Sequence, residues 1–178
     1  MSNNPNQHVM RHLTQFAEVV PERPALIYPT NEATPVDFDT LTFSQLNQRT
    51  DELAYGLQEL GIKPGTKTVL MLKHSEELFI VLIALLKVGA IPVVVDPGMG
   101  LNRMLHCYKS VGAEAFIGIP VAHMVRMARP AIFKSLDINI STTSFGGIKL
   151  DTLYRPGREP FVLPAVNKHD LLMIVFTT

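Results

Sequence analysis

Leu86-Lys87-Val88-Gly89-Ala90-Ile91-Pro92-Val93-Val94-Val95-Asp96-Pro97 decides the fold. Gly89 suits the left-handed position that follows a helix, and Lys87 falls in the last turn, where a cation favours the helix dipole. Val93, Val94 and Val95 form a β-branched run without polar alternation, the pattern of a strand buried on both faces. The stretch is a helix end, a glycine stop and a central strand closing on a turn.

Immediately upstream, Ser75 is placed to cap a helix whose first turn carries Glu76 and Glu77. Leu78 to Leu86 is apolar on nearly every side, so this helix is expected to be buried all round. Leu78 to Val95 approaches the length of a bilayer span. Lys87, Gly89 and Pro92 interrupt it, and Pro92 breaks a continuous helix, so the run reads as a buried helix followed by a buried strand.

Towards the N-terminus, Val9 to Val20 has helical periodicity through Val9, Leu13, Phe16 and Val20. Ala25 to Tyr28 and Val36 to Leu41 read as short strands about a turn at Asn31 to Pro35. A longer helix follows, capped by Ser44 or by its rival Thr42. Leu46, Leu53, Leu57 and Leu60 line its inner face, with Gln48, Arg49, Asp51, Glu52 and Gln58 towards water. Thr68 to Leu72 is a strand. Towards the C-terminus come a helix over Leu101 to Val111, a strand over Ala115 to Ile119 and a helix over Val121 to Ala128. Asp137 to Ser141 reads as a strand, residues 142–168 as a loop-rich connector with room for one short strand, and Asp170 to Phe176 as the last strand. Strands alternating with helices at these intervals predict an α/β fold, a mainly parallel sheet wrapped by helices.

With 47% hydrophobic residues the chain has the material for a core, and disorder is not expected. Lys+Arg and Asp+Glu number 16 each, so bulk charge directs it neither to nucleic acid nor to an anionic membrane. Cys107 is the only cysteine, which excludes an internal disulfide framework and fits a reducing, cytoplasmic setting. Residues 1–12 lack the apolar segment of a signal peptide.

The opening string resembles the second core motif of the adenylate-forming acyl synthetases, L-K-A-G-x-x-x-x-P-L/I-D/N-P. Leu41-Thr42-Phe43-Ser44-Gln45-Leu46 is similar to that family's first core motif, L-T/S-Y-x-E-L, with Phe for Tyr and Gln for Glu. Asp170 to Thr178 resembles the strand that, in the family, runs into a Ser/Thr/Gly-rich phosphate loop. The three matches keep family order and spacing. Asp96 to Gly100 and Ala115 to Pro120 resemble the fatty-acyl branch, including ligases of bacterial olefin biosynthesis that act on β-hydroxy fatty acids.

The resemblance implies residues 1–178 to be a partial N-terminal subdomain of an AMP-binding acyl synthetase domain, with the remainder and a mobile lid domain lying beyond. It implies a reaction with ATP and Mg²⁺ that forms an acyl-adenylate and then a thioester, with coenzyme A as acceptor and a fatty acid as substrate. Thr177 and Thr178 would begin the phosphate loop, and no catalytic residue falls within the chain. The 178-residue piece alone is expected to be inactive, and an exposed sheet edge to promote self-association. A non-catalytic α/β binding module and an assembly fragment are the alternatives.

Other candidates read more plainly. His8 and His12 have the i, i+4 spacing of metal ligands but no acidic partners nearby, so they are expected to face solvent. His74, His106, His123 and His169 lack a visible nucleophile or orienting carboxylate. Cys107, in mid-helix, is expected to be buried and inert. Pro97-Gly98-Met99-Gly100 lacks the rest of a dinucleotide fingerprint. Asp96 ends a central strand, where α/β sheets bind ligands, although capping of its own turn is the preferred reading. Met99, Met104, Met124 and Met127 read as core filler.

Overall fold

The β-branched run becomes strand β4, Ile91–Val95, at the heart of a parallel sheet in the computed structural model, which describes residues 8–30, 37–167 and 169–177. Before it come helix α1 (Arg11–Val19), strands β1 (Pro24–Pro29) and β2 (Phe38–Thr42), helix α2 (Phe43–Glu59), strand β3 (Lys67–Met71) and helix α3 (Glu76–Val88). After it come α4 (Leu101–Val111), β5 (Ala115–Gly118), α5 (Pro120–Ala128), β6 (Ile138–Ser141), β7 (Ile148–Lys149) and β8 (Ile174–Phe176). Among the described residues, six strands pair in the order β7-β6-β5-β3-β4-β8, every pair parallel. β1 and β2 form a separate antiparallel pair.

Alternation along the strands sorts the core into two layers. Leu70, Ile117 and Ile140 point to the side covered by α2 and α3; Val69, Val93, Val95 and Phe116 point to the side covered by α4 and α5. Val93 is wholly buried, and full burial of a valine or phenylalanine contributes about 1.5–3 kcal/mol. Pro92 sits inside a central strand at no cost to the ladder. The N–H of Ile91 bonds to Thr66 on the β3 side, so position 92 turns towards β8, whose pairing begins only at Val93.

Gly89 takes the left-handed conformation, with φ of 80°, and ends α3 as expected. Thr42, not Ser44, caps α2. Its hydroxyl accepts from the Gln45 N–H while the Gln45 side chain accepts from the Thr42 N–H, a reciprocal box that positions 42 and 45 alone allow. The motif residue Gln45 therefore has a structural role. Ser75 occupies the N-cap position of α3 but makes no side-chain cap; its hydroxyl donates to the Lys73 carbonyl.

Two charged residues depart from expectation together. Asp51, expected in water, and Lys87, expected at the helix dipole, are both buried and form an ion pair of 2.6 Å. Lys87 Nζ also donates to the Asn47 carbonyl at 3.1 Å and to Asn47 Oδ1 at 2.9 Å. Burial pulls the Lys87 ammonium below its ordinary pKa, and Asp51 pushes it back up.

Further differences are local. α1 starts at Arg11 rather than Val9, and His8 is buried, with its Nδ1 accepting from the Met10 N–H. α3 is not enclosed on every side: Phe79 is exposed and Leu78, Leu82 and Ile83 are half-buried. Among the described residues, only Ile174–Phe176 of the last predicted strand pairs, while Leu171 and Leu172 lie exposed. The connector holds one short strand, β7, in keeping with the sequence reading, and adds a 3₁₀ turn, Leu150–Leu153. Met104 fills the core as expected, whereas Met124 and Met127 are exposed; Cys107 is buried. The turn at 31–35, Val36, Lys168 and Thr178 lie outside the described residues.

No helix among the described residues is long and apolar enough to cross a membrane. The apolar run from Leu78 is instead split between α3 and β4.

Asp51→Ala leaves a buried ammonium without its counter-ion and is expected to cost about 3–5 kcal/mol in chemical denaturation. The double variant Asp51→Leu, Lys87→Met should recover most of that loss; equal instability of single and double variants would refute the account. Gly56 of α2 lies against the Leu153 carbonyl, and a Cβ there would stand 1.8 Å from that oxygen. Gly56→Ala, ordinarily helix-stabilising by about 1 kcal/mol, should therefore destabilise by about 1–3 kcal/mol, measured the same way.

Candidate functional site

The chain leaves β3 for β4 on one side and leaves β5 for β6 on the other, so the connections from the carboxyl ends of β3 and β5 run in opposite directions. Open α/β sheets bind ligands at such a switch point. A cleft of about 470 Å³ lies there. Its walls are the ends of β3, β4 and β8 (Met71, Val95, Phe176), with Met104 and Tyr108 of α4 and Ile119 and Ala122 at the start of α5. Polar groups reach it from His74, Asp96 and Thr177.

Each side chain arrives for a local reason. Gly100, with φ of 77°, redirects the chain into α4, whose inner face repeats at Met104, Leu105, Tyr108 and Val111. Gly118 at the end of β5 leaves room for α5: a Cβ there would stand 3.2 Å from the Ala122 Cβ and 2.7 Å from the Phe116 ring. β8 carries Thr177 to the rim because Val93–Val95 pair with Ile174–Phe176, and the Asp96 N–H extends the ladder to the Phe176 carbonyl at 3.0 Å.

Asp96 caps its own turn, as preferred from the sequence. Its Oδ1 accepts from the Gly98 N–H at 2.8 Å, and its carbonyl accepts from the Met99 N–H. The same residue borders the cleft, so the two readings of Asp96 coincide in one place.

Tyr108 is the feature that sequence reading missed. It is 2% exposed, its ring packs 6.1 Å from that of Phe133, and it borders the cleft. Its hydroxyl is buried without a hydrogen-bond partner among the described residues. Burial raises the phenol's pKa well above its ordinary value, so it stays protonated. An unsatisfied buried hydroxyl costs about 1–3 kcal/mol. A tyrosine four residues after Met104 on an inward helix face was the available signal, and it is indistinguishable from core packing in a sequence.

The remaining titratable candidates lie elsewhere. His123 is wholly buried, with Nε2 3.0 Å from the Ile140 carbonyl and Nδ1 accepting from Arg126, which also donates to the Gly146 carbonyl. This group fastens the 142–147 loop to α5. His12 is exposed, and no cluster of metal-ligating side chains occurs among the described residues. Of the proposed phosphate-loop pair, Thr177 is exposed at the cleft rim and Thr178 is outside the described residues. None of the cleft-lining residues is Lys or Arg, so the cleft lining does not by itself fit a triphosphate.

The sequence profile described as AMP-binding enzyme matches residues 13–178, and the chain belongs to that family. It is 37% identical over 143 residues to the olefin beta-lactone synthetase of Stenotrophomonas maltophilia, an alignment covering 78% of this chain and 26% of that protein. Over 87 residues it is 41% identical to the Xanthomonas campestris protein of the same description, covering 49% of this chain and 16% of that one. The chain thus spans about a quarter or less of these relatives' length. The fold recurs in a long-chain-fatty-acid-CoA ligase from Archaeoglobus fulgidus, with a TM-score of 0.79, 19% identity, and 98% of this chain covering 35% of that one. It recurs also in acetoacetyl-CoA synthetase from Streptomyces lividans, with a TM-score of 0.75, 20% identity, and 92% of this chain covering 27% of that one.

Asp96→Asn keeps the acceptor for the Gly98 N–H and should leave stability within about 0.5 kcal/mol, whereas Asp96→Ala should cost about 0.5–1.5 kcal/mol. Equal losses in urea unfolding would show that the charge, not the turn, is what counts.

Proposed function

We propose that this chain is the opening part of a fatty-acid-activating ligase that uses ATP and Mg²⁺ to form an acyl-adenylate. Residues 1–178 form a partial N-terminal subdomain, with the nucleotide-binding and lid portions supplied by the rest of the protein. One observation carries the reading: in a member of the AMP-binding enzyme family, β8 delivers Thr177 to the rim of an apolar cleft at the sheet's switch point. Thr177 and Thr178 then begin the loop that holds the phosphates, where backbone N–H groups and hydroxyls meet an anion.

The substrate class follows from the relatives. A β-lactone closes when a β-hydroxyl attacks its own activated carboxyl carbon, so the name olefin beta-lactone synthetase supports a β-hydroxy fatty acid. The acyl group then passes to a thiol, with coenzyme A the acceptor supported by the CoA-ligase fold neighbours, or to that β-hydroxyl. The chain's own contribution is shape. α4, α5 and the strand ends exclude water from one side of an acyl chain, while β4 and β8 fix the height at which its carboxylate meets the phosphate loop. The single buried cysteine supports a cytoplasmic setting. β8 has one unpaired edge among the described residues, which supports self-association of the isolated 178-residue piece.

The test is pyrophosphate release by the full-length protein with ATP·Mg²⁺ and a panel of fatty acids and their 3-hydroxy derivatives. Acid-dependent turnover is expected, reduced about tenfold or more in kcat/KM for ATP by Thr177→Ala. Residues 1–178 alone should show none. Absence of turnover with every acid of the panel would overturn the proposal, and turnover by the 178-residue piece would overturn its division of labour.

A further inference from the structure

His123 is wholly buried on α5, and its bonds fix its tautomer. Arg126 Nε can only donate, so His123 Nδ1, 3.3 Å away, carries the lone pair that accepts from it. The ring proton therefore sits on Nε2, which donates to the Ile140 carbonyl of β6 at 3.0 Å. Arg126 Nη2 in turn donates to the Gly146 carbonyl at 2.9 Å. The 142–147 loop comes this close because position 146 is glycine: its φ is 89°, and a Cβ there would stand 2.5 Å from His123 Cβ and Cγ. The neutral imidazole is thus the middle member of a chain of bonds that runs from β6 through α5 to the loop.

Protonation undoes the middle bond. An imidazolium has no lone pair, so Nδ1–H would face the Arg126 N–H, donor against donor and cation against cation. β5 presents the Phe116 ring, 5.0 Å away, and the Gly118 carbonyl; β6 presents the Ile140 carbonyl; the loop presents Gly146. Among the described residues Arg126 is the one charged group against the ring, and no carboxylate offsets an added proton. Burial, opposed by the Ile140 and Gly118 carbonyls and reinforced by Arg126, holds the imidazole below its ordinary value of 6.5.

We propose that His123 is an acid-sensitive latch: neutral, it holds Arg126 on the Gly146 carbonyl and the 142–147 loop on α5; protonated, it turns Arg126 away and lets the loop open. The loop leads into β7, which pairs with β6 only at Ile148 and Lys149, so its release loosens that end of the sheet as well. The latch is fully closed above the ordinary histidine value, and its hold is lost progressively as pH falls below it. The inference stands apart from the acid-activating reading and needs none of it.

The experiment is hydrogen exchange of the full-length protein, read by mass spectrometry between about pH 7.5 and 5.5 and corrected for the intrinsic pH dependence of exchange. In wild type, protection of a peptide covering residues 142–149 should fall about three- to tenfold over that range, while a peptide from β4 keeps its protection. His123→Gln retains one donor and one acceptor and has no proton to gain, so its loop protection should stay flat. Arg126→Met removes the bond to Gly146 and should leave the loop open at every pH, which keeps the test decisive even where His123→Gln does not fold. Unchanged loop protection in wild type overturns the proposal. So does a fall shared equally by the β4 peptide, which is global unfolding, or one that His123→Gln shares with wild type, which assigns the effect to another group. A loop in Arg126→Met as protected as in wild type at pH 7.5 overturns it from the other side.

Discussion

The buried pair of Lys87 and Asp51 ties the molecule together. An ammonium removed from water is tolerated only when its donors are met, and Lys87 meets them with Asp51 and with the side chain and carbonyl of Asn47. All three bonds run from the last turn of α3 to α2, so they fix where α3 ends along its neighbour. That end point sets Gly89, and Gly89 sets the entry of β4 into the sheet: the Gly65 N–H bonds to the Gly89 carbonyl at 2.8 Å and the Ile91 N–H to Thr66 at 2.9 Å. From β4 the register passes to β8, and so to Thr177 at the cleft.

A second brace holds the far end of α2. Arg155 and Arg158 reach Glu59 at 2.6 and 2.5 Å, and Arg158 lies 4.9 Å over the Tyr55 ring. These groups are largely exposed, and their stabilising effect is small beside that of the buried pair. Their consequence is positional. They lay the segment after the Leu150–Leu153 turn along α2, against the face where Gly56 admits the Leu153 backbone.

What could be read from the sequence was what is written locally. Val93 to Val95 announced a strand buried on both faces, and glycine at 89 announced a helix end with positive φ. What could not be read was pairing at a distance. Asp51 and Lys87 are 36 positions apart, and on a helical wheel Asp51 looks like one more solvent-facing carboxylate. β8 was overextended because apolar composition marks where a strand is favoured, whereas its length is set by how far its neighbour's edge is available. The cleft was legible in part: the carboxyl end of β4 drew attention to Asp96, but Tyr108 carries no motif. Its hydroxyl has no hydrogen-bond partner among the described residues, which is a three-dimensional fact.

On the proposed reading, the residues described here divide substrate recognition from chemistry. The cleft's walls bind an alkyl chain through apolar contact, and such contact is as strong in the ground state as in the transition state. Changes to Met104, Ile119 or Val95 would therefore be felt in KM and in the choice of acid more than in kcat. Groups that meet developing charge on phosphorus must be cationic or rich in N–H donors, and the cleft lining holds no Lys or Arg. This part of the fold thus acts as a rigid wall and a ruler. Its stiffness comes from a sheet clamped between two helix layers, and its register from one buried ammonium, so an error of one residue at Lys87 would misplace the phosphate loop without touching it.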